Sequence, residues 1–342
     1  MMVLLQLNGN DDKKKSSERF LYLICMSHNV NRVACVGAGL IGQGWAALFL
    51  LHGYNVVLQD LSDERLKEAY SRTLLHTRKL VEYGFGVEDD YEKRLDVTTS
   101  LEKALEGVDF IQESVFESLD VKRPLYSRMD FIAPKDVVIA SSTSGLMMTD
   151  IARDMKLHPE RAIVAHPWNP VHLVPLVELS PGEKTSKETV EAAYSLMTRI
   201  GKVPVVLKKE APGFIANRLS AVLWREALNL VETGVATVED VDKAVKAGPG
   251  IRWAIMGPYL TYHLGGGKGG IEYLMRHIGV SKAKWLETAA NWTDTPESAI
   301  QKAVEGVNDM VNNLSIEELE AWRDRYLVEL NKLLWSEDPG FY

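Results

Sequence analysis

The 342-residue chain has only two cysteines, Cys25 and Cys35. That is too few for a disulfide framework, and neither stands at metal-ligand spacing from another thiol. The reading is a reducing, cytoplasmic compartment with no bound metal. Long apolar runs are missing too. The longest in the globular part, residues 45–51, falls far short of the roughly 20 residues that a membrane span requires. Nor is there a block of like charge beyond Lys13-Lys14-Lys15, and the net charge is −8, from 47 acidic and 39 basic residues. A nucleic-acid partner and an anionic membrane surface are both disfavoured. Internal repeats and low-complexity tracts are absent.

Residues 1–30 differ from the rest of the chain: a short apolar start (3–7) gives way to Asn8-Gly9-Asn10-Asp11-Asp12 and then to the lysines. A secretory signal is charged first and apolar afterwards, so this order predicts a poorly ordered extension rather than a leader. The folded pattern begins just beyond Met26.

From residue 32 a short β-branched run leads into Gly37-Ala38-Gly39-Leu40-Ile41-Gly42, after which Ile41, Trp45, Leu48 and Phe49 recur at helical spacing. A second apolar strand over residues 54–59 stops at Asp60. Strand, glycine turn, helix and strand make a βαβ unit. The strand-helix rhythm then continues, with strands predicted near residues 95–98, 108–112, 137–140, 162–165 and 203–207. Helices are predicted over 62–81, 119–132 and 187–200. This alternation implies an α/β fold, a doubly wound, mainly parallel sheet of the Rossmann type over residues 31–209. Residues 210–342 carry helical periodicity without convincing strands and form a C-terminal all-helical domain. Near its end, Ser315-Ile316-Glu317-Glu318 is a capping box for a last helix whose apolar stripe is Leu319, Trp322, Tyr326, Leu330 and Leu333. That stripe closes its own domain or forms a dimer contact. Gly265-Gly266-Gly267-Lys268-Gly269-Gly270 follows no strand and reads as a flexible loop over the site.

A glycine turn alone is weak evidence, but placed between a strand and a helix and followed by a strand ending in an acid it is specific. Gly37 allows the tight turn, Gly39 lets a pyrophosphate approach the backbone, and Gly42 lets helix and strand pack closely, with Leu40 and Ile41 completing the binding turn. Asp60 would accept the hydroxyls of an adenosine ribose and repel a 2′-phosphate, which favours NAD over NADP. A flavin or nucleotide-sugar binder on the same fold is the alternative.

Four further segments fall at the carboxyl edge of such a sheet. They are Ser141-Ser142-Thr143-Ser144-Gly145; His166-Pro167-Trp168-Asn169-Pro170; Glu178, closing the apolar run 173–177; and Pro212-Gly213-Phe214-Ile215-Ala216-Asn217-Arg218. In order and spacing they resemble the L-3-hydroxyacyl-CoA dehydrogenase family, from about residue 31 to at least 265. The resemblance implies catalytic roles for Ser144, His166, Glu178 and Asn217, and cofactor contacts for Glu117 and Lys122. The chemistry agrees, because hydride removal from an alcohol carbon needs a base for the hydroxyl proton, and histidine titrates near working pH. Glu178 would fix the tautomer of His166, while Ser144 and Asn217 would hold the substrate oxygen. Ser144 lacks the Gly-x-Ser-x-Gly elbow of a hydrolytic nucleophile.

Within the family, residues 248–258 depart from the acyl-CoA enzymes and are similar to the carnitine and gulonate 3-dehydrogenase branch, which includes a lens crystallin. A free 3-hydroxy acid carries a carboxylate that Arg252 would meet with paired hydrogen bonds. Trp168, Asn169 and Trp253 are further candidate substrate contacts, and Trp168, Phe214, Trp253, Tyr259 and Tyr262 offer π faces for a quaternary ammonium. Residues 76–84 carry few basic side chains for the phosphates of coenzyme A. The alternatives are a 3-hydroxyacyl-CoA dehydrogenase with the same catalytic groups and an NAD-binding structural or sensing protein. The resemblance also implies a homodimer built on the helical domain.

Overall fold

A computed structural model describes residues 30–86, 90–278 and 284–336. The expected N-terminal extension lies almost wholly outside them. The chain divides into two compact units, the first running to Ile215 and the second starting at Ala216.

The first unit is an eight-stranded sheet of order β3-β2-β1-β4-β5-β6-β7-β8. Its strands are β1 (Arg32–Val36), β2 (Asn55–Gln59), β3 (Leu95–Thr98), β4 (Phe110–Glu113), β5 (Val138–Ser141), β6 (Ala162–Pro167), β7 (Leu176–Pro181) and β8 (Val203–Val206). All neighbours are parallel except β6 and β7, which run antiparallel. Successive residues of a strand face opposite sides, and the core divides accordingly. Val33, Cys35, Leu58 and Phe110 pack with the helices α1 (Leu40–Leu51) and α2 (Asp63–Glu82). Ala34, Val36, Ile111 and Ile139 pack on the other side with α3 (Leu101–Leu105), α4 (Leu119–Ile132) and α5 (Met148–Ile151). Burial drives the Cys35 thiol pKa far upward, so this cysteine is an inert core residue.

The helices start where side chains can satisfy their free amides. Ser62 accepts the amide of Arg65 ahead of α2, and Ser186 accepts that of Thr189 ahead of α6 (Lys187–Arg199). Of the apolar run 173–177 only the last two residues enter a strand, β7. Residues 170–174 are instead a turn, in which the amides of Leu173 and Val174 both reach the carbonyl of Pro170 (3.0 and 2.9 Å). Glu178 therefore sits inside β7 and not at its end.

Sequence periodicity puts the domain boundary near residue 210, whereas the first unit extends to Ile215. The cause is long-range. Glu210 accepts the amide of Thr149 at 3.0 Å, Phe214 is buried, and the amide of Ile215 reaches Glu178 at 2.8 Å.

Among its described residues the second unit is helical throughout: α7 (Ala216–Glu232), α8 (Val238–Val245), α9 (Ile251–Trp253), α10 (Pro258–Gly265), α11 (Gly270–Tyr273), α12 (Glu297–Val311) and α13 (Ile316–Ser336). The capping box forms before α13, with Ser315 Oγ accepting the amide of Glu318 and Glu318 Oε2 accepting that of Ser315. The glycine-rich stretch 265–270 is a correction to the flexible-loop expectation. It is a tight corner between α10 and α11, where a Cβ on Gly270 would come within 2.7 Å of the His263 ring. Its glycines serve close packing. Among the described residues no helix is long and apolar enough to cross a membrane.

One buried polar cluster holds the approach to β6. Asp130, at the end of α4, accepts the amides of Lys156, Leu157 and His158 (2.8, 2.8 and 2.9 Å) and pairs with the buried Arg161. Burial opposes its ionisation, but the three amides and the guanidinium prevail, and its pKa lies below the ordinary value. A depressed carboxyl stabilises the fold fully above its unfolded pKa and ceases to do so as pH falls through the folded one. Asp130→Ala is expected to cost about 3 kcal/mol in urea unfolding at pH 7. The deficit should shrink as pH falls below the ordinary carboxyl range and on through the depressed pKa of the folded protein.

Candidate active site

The glycine turn closes β1 onto α1. Gly37 stands at φ 100°, and a Cβ on it would lie 2.6 Å from the carbonyl oxygen of Ser114. A Cβ on Gly42 would fall 1.8 Å from the carbonyl oxygen of Gly37, so the helix reaches the strand only without one. Gly39, by contrast, has open space where a side chain would be. The first turn of α1 carries no acidic side chain, which leaves its positive end open to an anion. Leu40 is exposed and Ile41 partly so. Asp60, past the end of β2, accepts the amide of Ala38 through Oδ2 (3.0 Å) and that of Leu61 through Oδ1 (2.8 Å). The open glycine, the unblocked helix end and the carboxylate beside them fit a dinucleotide.

The Ser144 turn is held from below by charge. Lys122 is 1 % exposed and gives its ammonium to Glu113 Oε1 at 2.7 Å, with Glu117 Oε2 at 3.6 Å. Glu117 Oε1 accepts Thr143 Oγ1 (2.6 Å) and the amide of Ser144 (2.9 Å). Glu113 Oε2 accepts Ser141 Oγ at 2.7 Å. Lys122 is thus a buried support for Glu117 and the turn. Ser144 itself is exposed.

His166 and Glu178 are directly opposed across the antiparallel β6–β7 ladder, which places their side chains on one face. His166 Nδ1 lies 2.9 Å from Glu178 Oε2, and the two residues are 5 % and 1 % exposed. A carboxylate only accepts, so Nδ1 carries the hydrogen and Nε2 is left with a lone pair. Glu178 Oε1 takes the amide of Ile215 at 2.8 Å. The Phe214 ring lies 5.3 Å from that of His166 and is 2 % exposed. This corrects the expectation that Phe214 offers a π face to a ligand, because its ring is spent on the imidazole. It holds φ 54°, a left-handed conformation costing a non-glycine residue on the order of 1 kcal/mol. Gly145, next to Ser144, lies against Gly213, so the turn of Ser144 and the segment of Phe214 abut.

Of the remaining candidates, Trp168 is half-buried and Asn169 exposed, on the loop after β6. Asn217, at the start of α7, and Arg252 and Trp253, in α9, belong to the second unit. Sequence reasoning passed over Gln112, Glu113, Ser114 and Ser142. Gln112 Nε2 and Ser114 Oγ both meet Ser142 Oγ at 2.8 Å. The available signal was two polar residues, Gln112 and Glu113, at the carboxyl end of a fully buried strand.

A dinucleotide cradle on a doubly wound sheet, beside a buried histidine steadied by a carboxylate, defines an NAD-dependent dehydrogenase. Comparison with known proteins narrows this. The family description "3-hydroxyacyl-CoA dehydrogenase, NAD binding domain" matches residues 32–211, and "3-hydroxyacyl-CoA dehydrogenase, C-terminal domain" matches residues 213–306. The chain belongs to the 3-hydroxyacyl-CoA dehydrogenase family. L-carnitine dehydrogenase of Streptomyces coelicolor is 45% identical over 309 residues, covering 88% of this chain and 94% of the relative. L-carnitine dehydrogenase of Pseudomonas sp is 40% identical over 301 residues, covering 88% and 92%. Among solved structures, the NAD+-dependent dismutase 5-formyl-3-hydroxy-2-methylpyridine 4-carboxylic acid 5-dehydrogenase aligns at TM-score 0.76 and 28% identity, covering 90% of this chain and all of that one. The 3-hydroxybutyryl-CoA dehydrogenase of Escherichia coli K12 aligns at TM-score 0.60 and 32% identity, covering 76% of this chain and 54% of that one. The protein is an NAD-dependent oxidoreductase that oxidises a 3-hydroxy group.

Two substitutions test the site. Gly42→Ala must push α1 from Gly37, and NAD affinity by calorimetric titration is expected to fall at least about tenfold while the fold survives. Glu178→Gln keeps the shape of the pair but removes its charge; kcat should drop by about 10²- to 10⁴-fold with NAD affinity little changed.

Proposed function

We propose that the chain oxidises the 3-hydroxyl of a free 3-hydroxy acid of the L-carnitine type, with His166 as base and Glu178, Ser144 and Asn217 as its catalytic partners. NAD supplies the hydride acceptor when bound. His166 takes the hydroxyl proton at Nε2 as the carbonyl forms, and the Glu178 carboxylate meets the positive charge that then develops on the ring. Ser144 and Asn217 donate to the substrate oxygen. The glycine turn with Leu40 and Ile41, together with Asp60 and Glu117, holds the dinucleotide, with Lys122 bracing Glu117 from the interior.

The observation that carries the substrate class is Arg252. Its guanidinium is exposed and makes no ion pair among the described residues, so it is available to a carboxylate. In the same unit Trp253 and Tyr259 are exposed aromatics, and in the first unit Trp168 has its indole nitrogen buried without a partner. Such groups suit a small acid carrying a quaternary ammonium. The whole-length similarity to proteins named L-carnitine dehydrogenase points the same way. A thioester substrate is the second reading, supported by the acyl-CoA enzymes among the similar structures.

We further infer a homodimer. On α13, Trp322, Tyr326, Leu330 and Leu333 stay 41–68% exposed, and on α7 Leu219, Val222 and Leu223 do the same, more apolar surface than an isolated helical unit tolerates. The sparse cysteines support a cytoplasmic location.

Steady-state NAD reduction with L-carnitine, L-gulonate and L-3-hydroxybutyryl-CoA should favour a free acid, and preference for the thioester would end that reading. Arg252→Ala is expected to raise KM for the free acid by about 10-fold or more and to spare the thioester. Light scattering should give twice the chain mass.

A further inference from the structure

The turn at residues 170–174 spends one carbonyl, that of Pro170, on its own amides. The carbonyls of Val171 and Val174 go elsewhere, to the ammonium of Lys202. Lys202 Nζ donates to the Val174 oxygen at 2.8 Å and also to that of Val171. This lysine lies between α6 and β8 and is 5 % exposed. No carboxylate among the described residues pairs with it. The ammonium also stands 5.2 Å from the centroid of the Trp45 ring on α1.

Trp45 continues the chain of contacts, because its Nε1 donates to Ser142 Oγ at 3.1 Å, two residues before Ser144. Ser142 Oγ is the same atom that meets Gln112 and Ser114, and Gln112 Nε2 also reaches the carbonyl of Ala165 (3.4 Å), beside His166. One buried cation therefore fixes the far end of the loop that carries Trp168 and Asn169, and rests on the tryptophan that fixes the turn before Ser144.

Burying an ammonium without a counter-ion is costly, and a methionine would fill the same space more cheaply. The amine is kept for the two carbonyls that it holds. Burial lowers the Lys202 pKa to about 7. The clip does not depend on that titration, since an ammonium has three N–H donors and a neutral amine two, enough for both carbonyls.

We propose that Lys202 is a positioning residue of the active site, which sets the loop of Trp168 and Asn169 against the substrate through the carbonyls of Val171 and Val174. The proposal rests on the reading of His166 as base and of a 3-hydroxy acid as substrate. The misplacement of a substrate-binding loop by as little as 1 Å can cost about 10²-fold in rate.

The test uses the full chain with NAD and whichever 3-hydroxy substrate it turns over best, in the wild type and in Lys202→Met, Lys202→Gln and His166→Asn. Lys202→Met should lower kcat/KM by about 10-fold or more, chiefly through a raised KM for the 3-hydroxy substrate. Its Kd for NAD by calorimetry should stay within about threefold, and Lys202→Gln, which restores an N–H donor, should recover part of the loss. A folded Lys202→Met enzyme with wild-type kcat/KM overturns the proposal. So does an equal loss of NAD and substrate affinity, which marks a general structural role. If Lys202→Met does not fold, the same split is read from Lys202→Gln. Loss of turnover in His166→Asn beside a normal Lys202→Met sinks this inference alone, whereas normal turnover in His166→Asn removes the reading beneath it.

Discussion

The structure depends on a carboxylate that must be kept charged inside the protein. Glu178 is 1 % exposed, and an ion so placed survives only if its oxygens are satisfied. One oxygen has the imidazole of His166 and the other the amide of Ile215. Each partner constrains a different part of the chain. The first fixes the histidine's tautomer, and the second draws residues 210–215 into the first unit and lays Phe214 on the ring. The imidazole of His166 is thereby gripped at its edge by the carboxylate and packed on its face by the phenyl ring.

The one antiparallel pair in an otherwise parallel sheet makes this grip possible. In a parallel ladder the strand after β6 would return only through a crossover, and residues close in sequence would not be opposed. The loop of residues 168–175 reverses the chain, so residues 166 and 178 meet in register. On the other side of β6, a second buried ionic group does similar work. Lys122, buried between Glu113 and the partly exposed Glu117, braces the serine turn from the interior.

Much of this was legible in the sequence. The βαβ unit, the glycine turn, Asp60 and the helix capped by Ser315 are written in local patterns, and local patterns survive in the fold because they are mutually consistent. The pairing of His166 with Glu178 was legible through the family resemblance. Strand direction was not, because alternation of apolar residues is the same in both directions. The first compact unit runs on to Ile215 through hydrogen bonds that span long stretches of sequence. Phe214 and the glycine corner at 265–270 were misread for a related reason, since what an aromatic or a glycine does depends on the neighbour it meets. Lys202 gave no signal, for a lysine before an edge strand ordinarily faces water.

The hydrogen bonds of Asp60 bear on redesign. A change of preference toward a phosphorylated dinucleotide is usually sought by replacing the acid at this position with a neutral or cationic residue. Here the same side chain tethers Ala38 and Leu61, so removing it also slackens the backbone around the glycine turn and past the end of β2. An engineer who exchanges this acid must therefore also rebuild the backbone anchorage that it provides.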